Sequence, residues 1–271
     1  MLLAVDIGNT QIKLGAFKDG ELRARWYVAT DSYRLADEYA VLVTSLLAMD
    51  GIDKSDVHGG VYASTVPALA PVFGEMFRKH FAIDALRVGV GVKTGMQIKY
   101  EPRELGPDRI AVALGALRLH KPPLIVVSLG TGTVFEAVSR DSVYMGGAIA
   151  PGITVASEAL AGRAAMLSSV ELSPPKTAIG TNTRAAMQSG ILFGFAELIE
   201  GMVRRFKDEV GDDAWVVATG GWAQMMSQLT NCFDEVDDSV SLYGLKQLYE
   251  LNEPFDKLGT DPLDRLKTEG G

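Results

Sequence analysis

The feature that most constrains this chain is an internal repeat. An apolar strand begins at Leu2, breaks at Asp6-Ile7-Gly8-Asn9-Thr10, resumes as an alternating strand through Ile12, Leu14 and Ala16, and turns at Lys18-Asp19-Gly20. From Leu124 the pattern returns: Ile125 to Val127, a break at Ser128-Leu129-Gly130-Thr131-Gly132-Thr133, an alternating strand, and a turn at Arg140-Asp141-Ser142. The two copies align without a gap, with Gly8 opposite Gly130 and Asp19 opposite Asp141. Third strands follow at Glu21 to Val28 and at Val143 to Ala148. Each half therefore opens as a β-meander with a glycine loop at its first turn.

Helical patterns follow each meander. Leu35, Tyr39, Leu42, Val43, Leu46 and Leu47 share one helical face, as do Leu69, Val72, Phe73, Met76 and Phe77. Short apolar runs at Val61 to Ala63 and Leu86 to Val90 are expected to be strands. In the second half, Thr181-Asn182-Thr183 leads into a helix over Arg184 to Val210, stopped at Gly211 and followed by a strand from Trp215 to Thr219. The expected organisation is an N-terminal α/β domain over 1–118, a C-terminal one over 119–250, and a flexible Pro-, Gly- and charge-rich tail over 251–271. A cleft between two such domains is the expected ligand site.

Composition narrows the function classes. With 271 residues, 47% of them hydrophobic, the chain is long enough for two cores and is not disordered. Its net charge is -8 and its basic residues are scattered, so no nucleic-acid surface is expected. A single cysteine, Cys232, excludes an internal disulfide, and the start MLLAVDIGNT lacks a basic segment ahead of an apolar core. No apolar run approaches the roughly 20 residues that span a bilayer. A cytoplasmic protein is expected. His58, His80 and His120 stand far apart, without the spacing of a transition-metal site, and are read as surface or boundary residues.

Three segments carry chemistry. Asp6 sits at a strand end beside Gly8, where bare backbone lets N–H groups approach a phosphate and the carboxylate can hold a hydrated Mg²⁺. Ordinary hairpin chemistry explains the same residues equally well, and recurrence of the loop at Gly130 tips the balance toward function. After the strand at Trp215, Thr219-Gly220-Gly221 can carry a ribose and adenine on backbone alone. Leu105-Gly106-Pro107-Asp108-Arg109 places proline at a first helical position and Asp108 in the first turn. The helix dipole there is expected to lower the Asp108 pKa, leaving a carboxylate that caps the helix or accepts a hydroxyl proton. Arg109 offers a fork for a carboxylate or phosphate, or a surface ion pair. The run Gly89-Val90-Gly91-Val92-Lys93-Thr94-Gly95 fits neither the dinucleotide fingerprint nor a P-loop.

The segment Asp6 to Lys13 resembles the first phosphate loop of the type III pantothenate kinases, within the superfamily of acetate kinase, sugar kinases, Hsp70 and actin. Tyr100 with Leu105 to Arg109 resembles that family's pantothenate motif, and Gly146-Gly147-Ala148-Ile149-Ala150-Pro151-Gly152 its later signature. Ile179 to Thr183 and Thr219-Gly220-Gly221 follow in order. The resemblance implies two tandem actin-like (ribonuclease H-like) α/β domains and transfer of the ATP γ-phosphoryl group to pantothenate, the first step toward coenzyme A. It assigns ATP phosphates to Asp6, Gly8, Asn9, Thr10, Lys13, Gly130 and Thr131, with Mg²⁺ reached from Asp6 through water, and the nucleotide to Gly220 and Gly221. Asp108 is the implied general base. Tyr100, Gly106, Pro107 and Arg109 would surround pantothenate, with Thr183 reaching across a homodimer interface. The family also uses a monovalent cation, K⁺ or NH₄⁺, on an aspartate that here is Ser128, so weak cation binding is expected; Glu136 replaces a second aspartate. Two rivals stand beside this reading: a kinase of the same fold for another small hydroxy acid, and a non-catalytic nucleotide-binding regulator. Ser128 favours the latter, and the Asp6, Asp108 and Arg109 set opposes it.

Overall fold

The repeat becomes two sheets. In the computed structural model, which describes residues 1–101, 103–164 and 167–252, β1 (Leu2–Ile7), β2 (Gln11–Lys18) and β3 (Glu21–Ala29) form the first meander. Two parallel strands, β4 (Gly59–Ser64) and β5 (Leu86–Arg87), extend it beyond β1 in the order β3-β2-β1-β4-β5. The second sheet takes a short strand from the end of the first half, β6 (Gln97–Ile98), and then builds its own meander from β7 (Leu124–Leu129), β8 (Gly132–Val138) and β9 (Val143–Pro151). With β10 (Trp215–Thr219) and β11 (Glu235–Val236) parallel to β7, its order is β11-β10-β7-β8-β9-β6. Read from the far edge, β9-β8-β7-β10-β11 repeats β3-β2-β1-β4-β5. This is the tandem actin-like arrangement implied by the sequence.

The hydrogen-bond registers are less alike than the sequences. Gly8 N donates to Gln11 O (3.1 Å), closing the first loop over four residues. In the second loop Gly130 N donates to Gly132 O (3.0 Å), closing over three. Asp6 is consequently paired with Lys13, whereas Ser128 is paired with Val134.

The outer face of the first sheet is covered by α1 (Ala36–Met49) and α2 (Leu69–Met76). Tyr39, Val43 and Leu47 recur every four residues on α1 and are buried, while Glu38 Oε2 accepts from the Leu35 amide (2.8 Å) to satisfy the helix start. Between the sheets lie α3 (Pro107–Leu119) and the last helix of the chain. Past α4 (Ile153–Arg163), the long α5 (Thr183–Val210) covers the outer face of the second sheet; the Asn182 side chain accepts from Ala185 N at its start (3.0 Å), and Gly211, with φ of 122°, ends it. After α6 (Ala223–Met226), α7 (Val240–Asn252) returns to pack on α3, β1 and β4. A Cβ on Gly115 would collide with the Val240 carbonyl, and one on Gly244 with the Ala111 carbonyl, so the two helices meet backbone to backbone. The core between the sheets joins Ala4, Phe17 and Val61 to Leu242, Leu245 and Leu248. The division expected at 118–119 falls at the C-terminal end of α3. Of the expected tail, Leu251 and Asn252 complete α7, and positions from 253 onward lie outside the described residues.

Candidate active site

The two glycine loops face one another across a cleft lined by Asp6, Gly8, Thr10 and Lys13 from the first half and by Ser128, Gly130, Thr131, Gly220 and Gly221 from the second, with Asp108 between them. Each loop is braced from outside. Thr30 Oγ1 donates to the Gly8 carbonyl (2.7 Å) and Thr65 Oγ1 to that of Ile7 (3.2 Å). Gly152 N donates to Thr131 O (3.0 Å), and a side chain at Gly152 would strike the Gly130 and Thr131 carbonyls, so the segment from Gly146 buttresses the second loop. The loops also touch each other: Thr10 Oγ1 and Thr131 Oγ1 share a hydrogen bond of 2.9 Å. Beyond that bridge the cleft continues past Tyr27, Thr154, Glu158 and Trp222, whose indole N–H donates to Thr154 Oγ1 (3.0 Å).

Gly220 has φ of 97°, in the region that favours glycine, and its amide donates to Asp238 Oδ1 (3.3 Å). The Asp238 carbonyl in turn accepts from Lys13 Nζ (3.4 Å), tying the third glycine element to β2. Asp238, Thr30 and Thr65 were not legible as site residues. Only Asp237-Asp238-Ser239, a polar run ahead of an apolar helix, offered a readable signal.

Asp108 occupies the first turn of α3 behind Pro107, as the sequence predicts. A Cβ at Gly106 would meet Asp108 Oδ1, so a side chain there would displace the carboxylate. The expected pKa direction is corrected. Burial, and next the negative charge of Asp6, push the Asp108 carboxyl above its ordinary value, while the backbone N–H groups of Arg109 and Asp108 and the Arg109 charge offset only part of this. The helix-end field is outweighed by desolvation and a like charge.

Of the two readings of Arg109, the surface ion pair does not hold. Only 8% exposed, Arg109 donates from Nε to Glu136 Oε1 at 2.6 Å and from Nη1 to the Tyr100 hydroxyl at 3.3 Å. The Tyr144 hydroxyl donates to the same Glu136 oxygen (3.2 Å). Complete burial pushes Glu136 up to about 7, with the Arg109 charge working against that rise. Burial alone would lower the Arg109 pKa, but Glu136 more than offsets it and keeps the guanidinium charged.

Thr183, exposed at the start of α5, lies instead along a separate groove with Leu160, Leu167, Met187 and Ile191. Among the described residues no cluster of three or more His, Cys, Asp or Glu could hold a metal ion. Mg²⁺ needs no such cluster, since it keeps waters and binds through one or two carboxylates plus phosphates. Asp6 and Asp108 fit that requirement, because the first raises the pKa of the second and a cation between phosphate and Asp6 would relieve it. Ser128, where the first copy has Asp6, is neutral, and the Thr219 and Ser241 hydroxyls beside it in the cleft, both buried, have no hydrogen-bond partner among the described residues.

Three comparisons bear on this cleft. A family model described as type III pantothenate kinase matches residues 2–205. A type III pantothenate kinase of Moorella thermoacetica is 47% identical over 253 residues, covering 93% of this chain and 100% of the relative. Among solved structures, a conserved Campylobacter jejuni protein assigned to the Baf family of transcriptional activators superposes with a TM-score of 0.59 at 17% identity, covering 92% of this chain and 98% of that one. Component A of (R)-2-hydroxyglutaryl-CoA dehydratase from Acidaminococcus fermentans gives 0.54 at 15% identity, with 92% and 95% covered. The two structural likenesses are of fold alone.

Proposed function

This chain belongs to the type III pantothenate kinase family, and we propose that its cleft carries the γ-phosphoryl group of ATP to the primary hydroxyl of pantothenate with Asp108 as general base. The observation that carries the reading is Asp108 itself, placed between two glycine loops and facing Asp6. Amides of the Gly8 and Gly130 loops, with the Thr10 and Thr131 hydroxyls and Lys13, cradle the phosphates. Bare backbone at Gly220 and Gly221 lets the nucleoside lie toward Trp222. Mg²⁺ held through water by Asp6 supplies positive charge at the phosphates. A raised pKa suits Asp108 to its task, because a base of very low pKa would have little affinity for the proton it must accept. Tyr100, Gly106, Pro107 and Arg109 form the acceptor end, where Arg109 meets the pantothenate carboxylate.

The monovalent cation of the family is not assigned a role here, since the neutral hydroxyls around Ser128 do not replace a carboxylate. We infer a homodimer in which Thr183 closes the partner's acceptor pocket. The supporting features are the groove beside Thr183 and an outer face of α5 on which Gly190, Gly194 and Gly201 leave open space. Light scattering should give twice the chain mass, and a fully active monomer would end the composite-site reading. Among the described residues no helix is long and apolar enough to cross a membrane, and a cytoplasmic enzyme is the proposal.

The decisive experiment is ADP release with pantothenate, pantoate and simple sugars as acceptors. Pantothenate should be turned over in strong preference to the rest. A different preferred acceptor would move the enzyme to another hydroxy acid. ATP binding with no turnover of any acceptor would instead favour a nucleotide-binding regulator, the reading to which the neutral Ser128 loop lends weight.

A further inference from the structure

Among the described residues Glu136 is the most deeply buried carboxylate, at 1% exposure. Sealing a carboxylate inside a protein is costly, and a buried ion pair adds little stability that an apolar pair of equal volume would not supply. Its surroundings suggest another use. A guanidinium presents its N–H groups in a rigid plane, and here two nitrogens are committed: Nε to Glu136 and Nη1 to Tyr100. The rings of Tyr100 and Tyr144 lie 5.0 Å and 5.9 Å from the Arg109 carbon, and the Tyr144 hydroxyl fixes Glu136 Oε1 in place. Nη2 is left with no partner among the described residues. A charged donor held dry and unpaired is expensive unless an anion completes it.

We propose that Glu136 is a positioning residue: by holding Arg109 Nε it turns the guanidinium so that Nη2 meets the acceptor's carboxylate, and so sets the preference for an anionic acceptor. The inference rests on Arg109 as the acceptor contact. The groups facing Glu136 are Arg109 and Asp108 from α3 and Tyr144 from β9, with Tyr100 stacked behind the guanidinium. Only Arg109 is a cation, so without Glu136 its side chain has no fixed partner of opposite charge and turns toward water.

The test is the ratio of kcat/KM for pantothenate to that for an analogue in which an uncharged alcohol replaces the carboxylate. Glu136→Met, which keeps volume and removes the acceptor oxygens, should lower the ratio about tenfold or more while KM for ATP moves less than about twofold. Glu136→Gln, whose oxygen can still accept from Nε, should hold the ratio within about threefold of the unmodified enzyme. Should Glu136→Met not fold, Tyr144→Phe decides, since it frees Oε1 from one of its two donors and should lower the ratio in the same direction by about twofold. An unchanged ratio in Glu136→Met, or in Tyr144→Phe where that variant decides, overturns the proposal, as does a fall matched by an equal rise in KM for ATP. Arg109→Met separates the two levels. A ratio lost there but kept in Glu136→Met removes only the role of Glu136; a ratio kept in Arg109→Met removes Arg109 as the carboxylate contact, and the proposal with it.

Discussion

The two glycine loops are copies of one turn, yet only the first is charged. Asp6 lies across the ladder from Lys13, while the same places in the second copy hold Ser128 and Val134. Loop length does not make the difference: closing over three residues instead of four brings Val134 and not Phe135 opposite Ser128, and neither is charged. Both halves thus keep a glycine turn facing the cleft, closed in two different ways, and only the first sets a carboxylate opposite a lysine on its ladder. Phosphate recognition by N–H groups needs only a backbone path, which survives substitution; charge stabilisation needs particular side chains and does not.

The comparison can be broken most directly at the residue between the loops. Asp108→Asn should retain fold and ATP binding but lower kcat by about 10²-fold or more; near-normal turnover in the folded variant would take Asp108 out of the chemistry. Because the Asp108 pKa is raised, the ionised base is lost sooner on acidification than for an ordinary aspartate. The acid limb of the kcat/KM profile, which reports the unliganded enzyme, should therefore lie above the usual aspartate range, and Asp6→Asn should move that limb downward. A limb unmoved by Asp6→Asn would show that burial alone sets it.

A smaller effect is expected from the charged loop's lysine. Lys13→Met removes one charge-assisted contact worth about 1.5 kcal/mol, or about tenfold in kcat/KM, whereas Val134→Ala should leave ATP kinetics nearly unchanged. Equal losses from the two would contradict the asymmetry. On the neutral side, the initial rate at constant ionic strength should be almost indifferent to KCl. Ser128→Asp should create K⁺ dependence with a gain of a few-fold, on the order of one restored electrostatic contact. Strong K⁺ activation of the unmodified protein would place a cation ligand elsewhere than Ser128.

The least effect concerns stability. With its folded pKa at about 7 against an ordinary value of 4.5, Glu136 binds its proton more tightly in the folded state. Its contribution is therefore most favourable below the unfolded pKa and is lost as pH rises through about 7. Glu136→Gln should flatten the dependence of Tm on pH across that window, and an unaltered slope would mean that Arg109 keeps Glu136 ionised throughout.

How much of this could be read in the sequence follows from which forces are local. Strand alternation, the glycine turns, Pro107 at a helix start and Gly211 at a helix end are local, and the two meanders and α5 stand where they were expected. The direction of the Asp108 shift was not legible, because it depends on Asp6, 102 positions away in the chain, and on burial by both halves. The buried partner of Arg109 was not legible for the same reason: Glu136 faces it only once β8 lies beneath α3. The one-residue slip between the ladders is invisible to an ungapped alignment, since the second turn restores the count by being longer.

The return of α7 has a consequence for the order in which this protein can be made. Its residues Leu242, Leu245 and Leu248 complete the inner core over strands that leave the ribosome first, and Tyr243 meets Phe17 edge to face at 5.5 Å. Contacts so distant in sequence demand loop closure before they reward it. A nascent chain that has released all five strands of the first sheet can therefore cover their inner face only in part, with α3, through synthesis of the second half, the interval in which unpaired apolar surface is most open to chaperones or to aggregation. A chain ending at 239 would retain every strand of both sheets and still lack the helix that lets the first of them close.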